Sequence, residues 1–560
     1  MSAPSILGIN RTQDGTISIF EGGKHVMSIH KERLTKRKHH WGRLGDMKLY
    51  KERIPAVDRP YDLVVECWSA DNEIEKKEQY HEELRTVLNM RPDSRIVEIS
   101  HHLAHLYSCY PPSGFDTCAV MIIDSVGSPV EHIKYDYPGK EGKTNLFEVA
   151  SYYYCHKGEI KCIKKQLHDR NPEEPHGLGN FYYKLTNCLF EGEGSEGKVM
   201  GLAAYGNLDA MDLPDLVVKE GEVLIPKEWQ EMFKCTDYNY KEEKKTFQQK
   251  ADFAAKGQDV FEKAMIEIAA WLSETTGTKN IAYAGGCALN CVANTKVLEQ
   301  GYNLFIPPAP HDGGTSVGCA IYGAIECFKI KNEYQWRFDY LGPDVDIHEV
   351  TKLIENYPDL SIEKADNLVE LCADHLLWGK ILCVFQSNSE FGPRALGNRS
   401  ILGDTRYAVN KFWINAFIKG REWFRPIAPF VLEEDVNEYF DFKGRTPFML
   451  FTAFVRDKYK DKFPTIEHVD HSARIQTVSK EDNEFIYNVI TNFKEKTGVG
   501  IIANTSFNGK NETMVETLTD AINCFVNNAI HCLVVPPYII SKQTEVSNPL
   551  KLMNAKVQGS

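Results

Sequence analysis

No apolar run in the 560-residue chain approaches the ~18 residues that a membrane-crossing helix needs, so a helical membrane anchor is excluded. No CxxC pair occurs either. The 15 cysteines are scattered, and the nearest approach is Cys287-Ala-Leu-Asn-Cys291, which argues against a zinc ribbon or a disulfide framework and for reduced, buried thiols. The opening MSAPSILGIN lacks a basic region leading into an apolar stretch, so a secretory signal is not expected and a cytoplasmic location is. There is no 20–50-residue repeat and no low-complexity segment, which argues against a solenoid. Positive charge is also short: a net charge of −13 argues against a broad nucleic-acid surface while leaving room for a local basic groove. What remains, 42% hydrophobic and 26% charged residues, is the composition of a soluble globular protein. A chain this long exceeds what one core serves, so two domains or more are expected.

Several segments carry a clear period. Ile6-Leu-Gly-Ile-Asn10, Thr16-Ile-Ser-Ile-Phe20 and His25-Val-Met-Ser-Ile29 are separated by polar turns and read as a β-meander. Cys118-Ala-Val-Met-Ile-Ile123 is an apolar strand ending in Asp124-Ser-Val-Gly127, and a helix over Val260–Ser273 precedes the strand Asn280-Ile-Ala-Tyr-Ala284 and the loop Gly285-Gly-Cys-Ala-Leu-Asn290. Glycine-bearing loops at strand ends let bare backbone amides approach phosphate oxygens in α/β folds, although each such loop is equally readable as a plain turn. The Gly-Pro pair in Tyr340-Leu-Gly-Pro-Asp344 marks a domain boundary, giving domains 1–342 and 343–560, with a helix over Ile347–Tyr357 beyond it.

The stretch HHLAHLYSCY places three histidines in five positions, 101 to 105. On a helix, His101 and His105 share a face and His102 points elsewhere. Such a pair alone more often faces solvent or sits hydrogen-bonded in a core than binds a metal, and needs further ligands. Asp124 ends the buried strand, and Asp312 lies in a loop rich in turn residues, Pro307-Pro-Ala-Pro-His-Asp312-Gly-Gly-Thr-Ser, that opens a helix. Two histidines and two carboxylates suit Fe(II), Mn(II) or Zn(II), with positions left for a phosphate or carbonyl oxygen, and the spacing chooses none of them.

With these motifs in view the chain resembles the O-carbamoyltransferase family, whose members carbamoylate antibiotics, nodulation factors and related hydroxylated substrates. The resemblance rests on His101-His-Leu-Ala-His105, Glu196-Gly-Lys198-Val-Met-Gly201-Leu-Ala-Ala-Tyr-Gly206, Gly285-Gly-Cys-Ala-Leu-Asn290-Cys-Val-Ala-Asn294, Phe391-Gly-Pro-Arg394-Ala-Leu-Gly-Asn-Arg399-Ser, Lys419-Gly-Arg421-Glu-Trp-Phe-Arg425-Pro and Asn504-Thr-Ser506-Phe-Asn508. It implies an α/β architecture: an actin-like, sugar-kinase-like (ASKHA) first domain followed by a second domain of the YrdC-like, threonylcarbamoyl-adenylate synthase fold. The second domain would form carbamoyl adenylate from carbamoyl phosphate and ATP, with Mg(II) accompanying the nucleotide, and the first would pass the carbamoyl group to a hydroxyl. By the same resemblance His101, His105, Asp124 and Asp312 hold a divalent metal, Fe(II) or Mn(II) foremost. Lys198, Gly201, Gly286, Asn290 and Asn294 line the carbamoyl-adenylate pocket, with Lys198 among the catalytic groups. Arg394, Arg399, Lys419, Arg425 and Arg474 hold phosphates, and Ser506 and Asn508 add hydroxyl and amide contacts. His102 is left to structure or to support of the metal ligands.

The chain also departs from that pattern. Family members carry a His-Asp pair in the first hairpin, where this chain reads Gln13-Asp14, and a glutamine amide cannot accept a proton at neutral pH. Either the base lies elsewhere, with His39 and His311 as candidates, or the adenylate reacts without one. A second departure is the run Lys31-Glu-Arg33-Leu-Thr-Lys36-Arg37-Lys38-His39-His40-Trp41-Gly-Arg43, whose cations would follow a phosphate backbone beside an acceptor pocket, or form a plain solvated face. It tilts the expected acceptor towards the hydroxymethyl group of 5-hydroxymethylcytosine in DNA, a substrate of phage-encoded relatives working in the host cytoplasm. A small hydroxylated natural product is the alternative acceptor. A base in duplex DNA would need to be flipped. A tRNA threonylcarbamoylation enzyme and a non-catalytic nucleotide- or metal-binding regulator are the rival readings. No membrane partner is expected, and a homodimer is compatible.

Overall fold

The computed structural model describes residues 3–69, 76–171, 173–190, 194–234, 245–544 and 546–550. The chain divides into two compact units, one running to Arg337 and the other from Phe338 onward, with Lys36–Lys38 grouped with the latter. Both units are mixed α/β. No helix among the described residues is long and apolar enough to cross a membrane.

The first unit is built on two five-stranded sheets. In one, β1 (Ser5–Asn10), β2 (Thr16–Glu21), β3 (Lys24–His30), β4 (Tyr61–Trp68) and β5 (Met90–Ser100) lie in the order β3-β2-β1-β4-β5. The first three strands form the expected antiparallel meander, and β4 and β5 add parallel to β1. The other holds β6 (Thr117–Ile123), β7 (Phe147–His156), β8 (Glu159–His168), β11 (Asn280–Ala284) and β12 (Asn303–Phe305); β9 (Val217–Lys219) and β10 (Glu222–Leu224) make a separate hairpin. Its order, β12-β11-β6-β7-β8, repeats the first topology, since β7 and β8 run antiparallel from β6 while β11 and β12 add parallel on its other side. This duplication, which left no repeat in the sequence, is consistent with an actin-like fold.

Each sheet's fifth strand leads into a helix, His101–Cys109 after β5 and Thr315–Tyr322 after β12. The two helices cross at Gly318, where an added Cβ would lie 1.9 Å from the carbonyl oxygen of Ala104, so only glycine permits the approach. That crossing brings ligand-bearing segments of both repeats together. The helix expected over Val260–Ser273 runs from Phe247 to Thr276. A capping box between Thr246 and Gln249 starts it well before its apolar face becomes regular.

In the second unit nine strands form one mixed sheet: β13 (Leu360–Lys364), β14 (Leu382–Phe385), β15 (Arg399–Asp404), β16 (Ala428–Leu432), β17 (Phe451–Phe454), β18 (Ser472–Val478), β19 (Ile501–Ser506), β20 (Cys532–Val535) and β21 (Tyr538–Lys542). Their order is β13-β21-β20-β14-β15-β19-β16-β18-β17. Leu382 and Val384 of β14 join one apolar cluster while Cys383 and Phe385 join another. Both faces of the sheet are therefore covered, which fits the unbroken apolar sequences of β14 (Leu-Cys-Val-Phe) and β20 (Cys-Leu-Val-Val).

Candidate active sites

In the first unit the histidine helix is fixed at its origin. The Ser100 hydroxyl accepts a hydrogen bond from the backbone N–H of Leu103 at 3.3 Å, so helical geometry begins at His101. His101 and His105, one turn apart and fully buried, bring their Nε2 atoms within 3.1 Å. Asp124 follows β6, and Asp312 opens the turn ahead of Thr315–Tyr322. His101 Nε2 lies 3.6 Å from Asp124 Oδ2 and 3.3 Å from Asp312 Oδ1, and His105 Nε2 lies 3.4 and 3.8 Å from the same atoms. The four residues thus meet with their ligand atoms within 4.8 Å of one another.

Two imidazole nitrogens this close share a proton or a cation. Burial opposes charging of His101, yet Asp312 and Asp124 outweigh it and hold the imidazole well above its ordinary value; His105 is raised in the same way. The same histidines outweigh burial at Asp124 and keep its carboxyl well below the carboxylate range. A divalent transition ion fits this donor set, and its binding would displace the protons. Beside it lies Cys67, one of the thiols read from the sequence as reduced and buried. Burial raises its pKa, but bonds to Cys319 and His101 draw it down to about 6. His102 turns away, as its helical position requires: its Nδ1 lies 2.8 Å from Ser151 Oγ, within a buried network where Lys165 Nζ donates to Glu148 Oε1 at 2.6 Å.

A second cluster forms around Asp14. His39 Nδ1 donates to Asp14 Oδ1 at 2.9 Å, and His311 Nε2 lies 3.7 Å from Asp14 Oδ2. Burial pushes the Asp14 carboxyl up, but His39 and His311 outweigh it and leave it at about 2. The bond to Asp14 in turn raises His39 to about 9 against the effect of burial, so His39 carries its proton at neutral pH. Burial lowers both His30 and His311, with His311 adding to the effect at His30 and His39 adding to it at His311. The histidine–carboxylate pair that Gln13 cannot supply is therefore present, with its histidine drawn from a loop 25 residues away. His30 was not singled out from the sequence.

The other first-unit candidates sit in the frame around these clusters. A Cβ on Gly286 would lie 3.2 Å from Asp124 Oδ1, so this backbone borders the histidine–carboxylate set. Asn290 caps the helix Cys291–Glu299 and exchanges reciprocal amide bonds of 3.1 Å with Gln258, while Asn294 donates to the Ala288 carbonyl at 2.8 Å. These amides hold the loop in shape. Lys198 and Gly201 lie on the helix Glu196–Ala203, the Lys198 ammonium 5.3 Å from the Phe190 ring.

The basic run is folded into the protein over much of its length. Lys31 and Arg33 are buried, and Lys31 Nζ pairs with Asp46 Oδ1 at 2.6 Å while donating to the Trp41 carbonyl at 2.7 Å. Arg43 lies over the Trp41 ring at 5.1 Å. Lys36, Arg37 and Lys38 are exposed, with Lys36 paired to Asp520.

In the second unit three predicted residues meet at the end of β19. Lys419 Nζ donates to the Ser506 carbonyl, to Ser506 Oγ at 3.2 Å, to the Asn508 carbonyl at 3.0 Å and to Asn508 Oδ1 at 2.5 Å. Burial and the nearby Arg421 push Lys419 well below its ordinary value. Arg421, unassigned from the sequence, is brought down to about 9 by burial together with Arg425 and Arg474, and Arg425 is lowered by burial and Arg474. Four cations therefore crowd one another. Arg399 has a different setting: its Nη1 donates to the carbonyls of Gln386 and Asn398 at 2.8 and 3.0 Å, and its guanidinium lies 3.7 Å from the Phe385 ring centre. Arg394 is half-buried in the loop between β14 and β15.

Comparison with known proteins adds to this geometry. Residues 65–321 match a family model described as carbamoyltransferase N-terminus, and residues 373–542 one described as carbamoyltransferase C-terminus. Nodulation protein NolO of Bradyrhizobium diazoefficiens is 33% identical over 458 residues, covering 80% of this chain and 79% of that one. The chain belongs to the carbamoyltransferase family. Nodulation protein NolNO of Sinorhizobium fredii is 35% identical over 466 residues, which span 80% of this chain and 65% of that relative's length. Among solved structures, full-length HypF in a phosphate- and nucleotide-bound form is similar at a TM-score of 0.37 and 16% identity, over 58% of this chain and 56% of that one, which is too slight to carry an argument. All the residues of this carbamoyltransferase-family chain that form the histidine–carboxylate set and the cation cluster fall within the two matched spans, whereas Asp14, His30 and His39 of the cluster around Asp14 lie outside them.

Proposed function

We propose that the chain is an ATP-dependent O-carbamoyltransferase with its chemistry divided between the two units. The observation that carries this reading is the contrast in charge: a His–His–Asp–Asp set suited to a cation in the first unit and a crowded set of lysine and arginines suited to polyanions in the second. The second unit is read as YrdC-like and the first as ASKHA. Carbamoyl phosphate, ATP and one water would yield carbamoyl adenylate, pyrophosphate and phosphate. Lys419, Arg421, Arg425 and Arg474 would hold the phosphates, aided by Ser506, Asn508, Arg394 and Arg399. In the first unit the acceptor oxygen would bond to the carbamoyl carbon as AMP leaves. Gly286, Asn290, Asn294, Gly201 and Lys198 would shape that pocket. His101, His105, Asp124 and Asp312 would hold a divalent ion, Fe(II) or Mn(II) foremost, which supplies positive charge opposite the departing phosphate. The acceptor's proton would pass to His39 in its unprotonated form, a fraction that grows as pH rises towards about 9, with Asp14 orienting the ring; Gln13 is left to orient the hydroxyl.

For the acceptor, the exposed Lys36, Arg37 and Lys38 favour a polyanion and keep 5-hydroxymethylcytosine in DNA as a reading. Burial of Lys31 and Arg33 shortens that track and gives a small hydroxylated molecule equal standing. The test is to incubate the protein with ATP and carbamoyl phosphate, measure pyrophosphate, then add hydroxymethylated DNA or a small polyol and seek one added carbamoyl by mass spectrometry. Pyrophosphate release dependent on carbamoyl phosphate supports the enzyme. Its absence across Fe(II), Mn(II) and Mg(II) favours a non-catalytic binder.

A further inference from the structure

We infer that Asp14, His30 and His311 form a second divalent-cation site in the first unit, distinct from the His101–His105–Asp124–Asp312 set and suited to an ion such as Zn(II), Co(II) or Fe(II). Each of the three residues offers one ligand atom, and those atoms lie within 4.8 Å of one another. They come from three segments: Asp14 from the turn between β1 and β2, His30 from the last position of β3, and His311 from the loop just ahead of Asp312. Their meeting is therefore a product of the fold, not of a local charge run.

The rings of His30 and His311 stack at 5.6 Å with 12° between their planes. Stacked imidazoles do not bond to each other through their nitrogens; they present them side by side. Gly313 packs against the same two nitrogens. An added Cβ at that residue would overlap the His30 ring, 2.2 Å from Cε1 and 2.7 Å from Nε2, and would lie 3.0 Å from His311 Nε2, so both nitrogens face one point that only a glycine lets them approach. Asp14 Oδ2 lies 3.7 Å from His311 Nε2, a separation compatible with two ligands on one ion at about 2.1 Å each. The other carboxylate oxygen, Oδ1, accepts from His39, an outer bond of the kind that orients a metal-binding carboxylate. Asn10 locks the arrangement: its Nδ2 donates to the carbonyls of Gln13, Asp14 and Asp312 at 2.8, 3.0 and 3.1 Å, tying the Asp14 turn to the His311 loop.

Two imidazoles and one carboxylate make a three-ligand site with open positions, the composition of many catalytic zinc and non-haem iron centres. The open position would take an oxygen ligand, water or a hydroxyl, and lower its pKa. In a carbamoyltransferase that ligand is the acceptor hydroxyl, so the site would offset the loss of a histidine at Gln13. This role rests on the reading under Proposed function, whereas the site itself does not.

The experiment counts ions in the full-length protein. Metal-free protein is titrated with Co(II), following visible absorption and, after desalting, metal content, with circular dichroism to verify folding. Wild type should bind about two equivalents, and His30→Ala, His30→Gln and His105→Ala should each bind about one, because each variant empties a different or the same single site. Wild type binding one equivalent that survives in His30→Gln but not in His105→Ala would overturn the second site and leave the first standing. Two equivalents retained by both His30 variants would overturn it as well. Pyrophosphate release is measured separately, so failure of the carbamoyl-transfer reading is distinguishable from failure of this one.

Discussion

The two units solve opposite electrostatic problems. In the first, two histidines and two aspartates compensate one another: the carboxylates push the imidazoles up and the imidazoles hold the Asp124 carboxyl well below the usual carboxylate range. In the second, burial and the neighbouring arginines depress Lys419, Arg421 and Arg425, with Arg474 acting on both of those arginines. A cluster that balances itself with protons can exchange them for a cation of equal charge. A cluster of like charges, costly to bury, is relieved by an anion. Residue type alone does not separate the two cases; what the groups do to one another does.

The first way to break this contrast is Asp312→Ala. Removing one carboxylate should lower bound metal and carbamoyl transfer together, the latter by about a thousandfold if several kcal/mol of charge stabilisation is lost. Full metal occupancy in that protein, measured by elemental analysis, would contradict the four-ligand set. The second is Glu148→Gln, which leaves the buried Lys165 ammonium beside His102 without its counter-charge and should cost about 3–5 kcal/mol in a denaturant melt. The third is Arg421→Ala. It should raise the concentration of ATP or carbamoyl phosphate needed for half-maximal pyrophosphate release by about 10–100-fold, corresponding to one charge-assisted hydrogen bond. Because a crowded cation is removed, its melting temperature should hold or rise, and a large fall would make Arg421 a structural group instead. The smallest effect concerns His39. Its pKa is raised from 6.5 to about 9 in the folded protein, so the stability its pair contributes is fully present below about 6.5 and is lost as pH rises through about 9. Transfer measured over the same range should rise with pH as His39 becomes able to accept a proton, and His39→Gln should flatten that limb.

Sequence made the histidine–carboxylate set legible because each ligand carries a local signal: an i,i+4 pair at a capped helix start, an aspartate closing an apolar strand, another in a turn-rich loop opening a helix. The meander was equally plain, since near alternation marks two of its three short strands and polar turns separate all three. What stayed hidden depends on tertiary contact. His30 is an ordinary strand residue until it stacks on His311, and His39, a candidate base from the sequence, reveals its bond to Asp14 only in the folded chain. Arg421 stood inside a quoted motif without being assigned, because only packing shows that it presses on Lys419. The basic run misled in the other direction: composition cannot tell that Lys31 and Arg33 are buried and Lys31 paired with Asp46. The duplicated sheet topology left no sequence repeat because strand order is set by pairing, which residue identity in the two halves need not share.

The division of labour is tested most directly by measuring pyrophosphate release dependent on carbamoyl phosphate in Arg425→Ala and His105→Ala side by side, with acceptor carbamoylation read in the same samples. The account predicts that Arg425→Ala releases no pyrophosphate, whereas His105→Ala still releases it slowly and leaves the acceptor unmodified. Equal loss of pyrophosphate release in both proteins would contradict it.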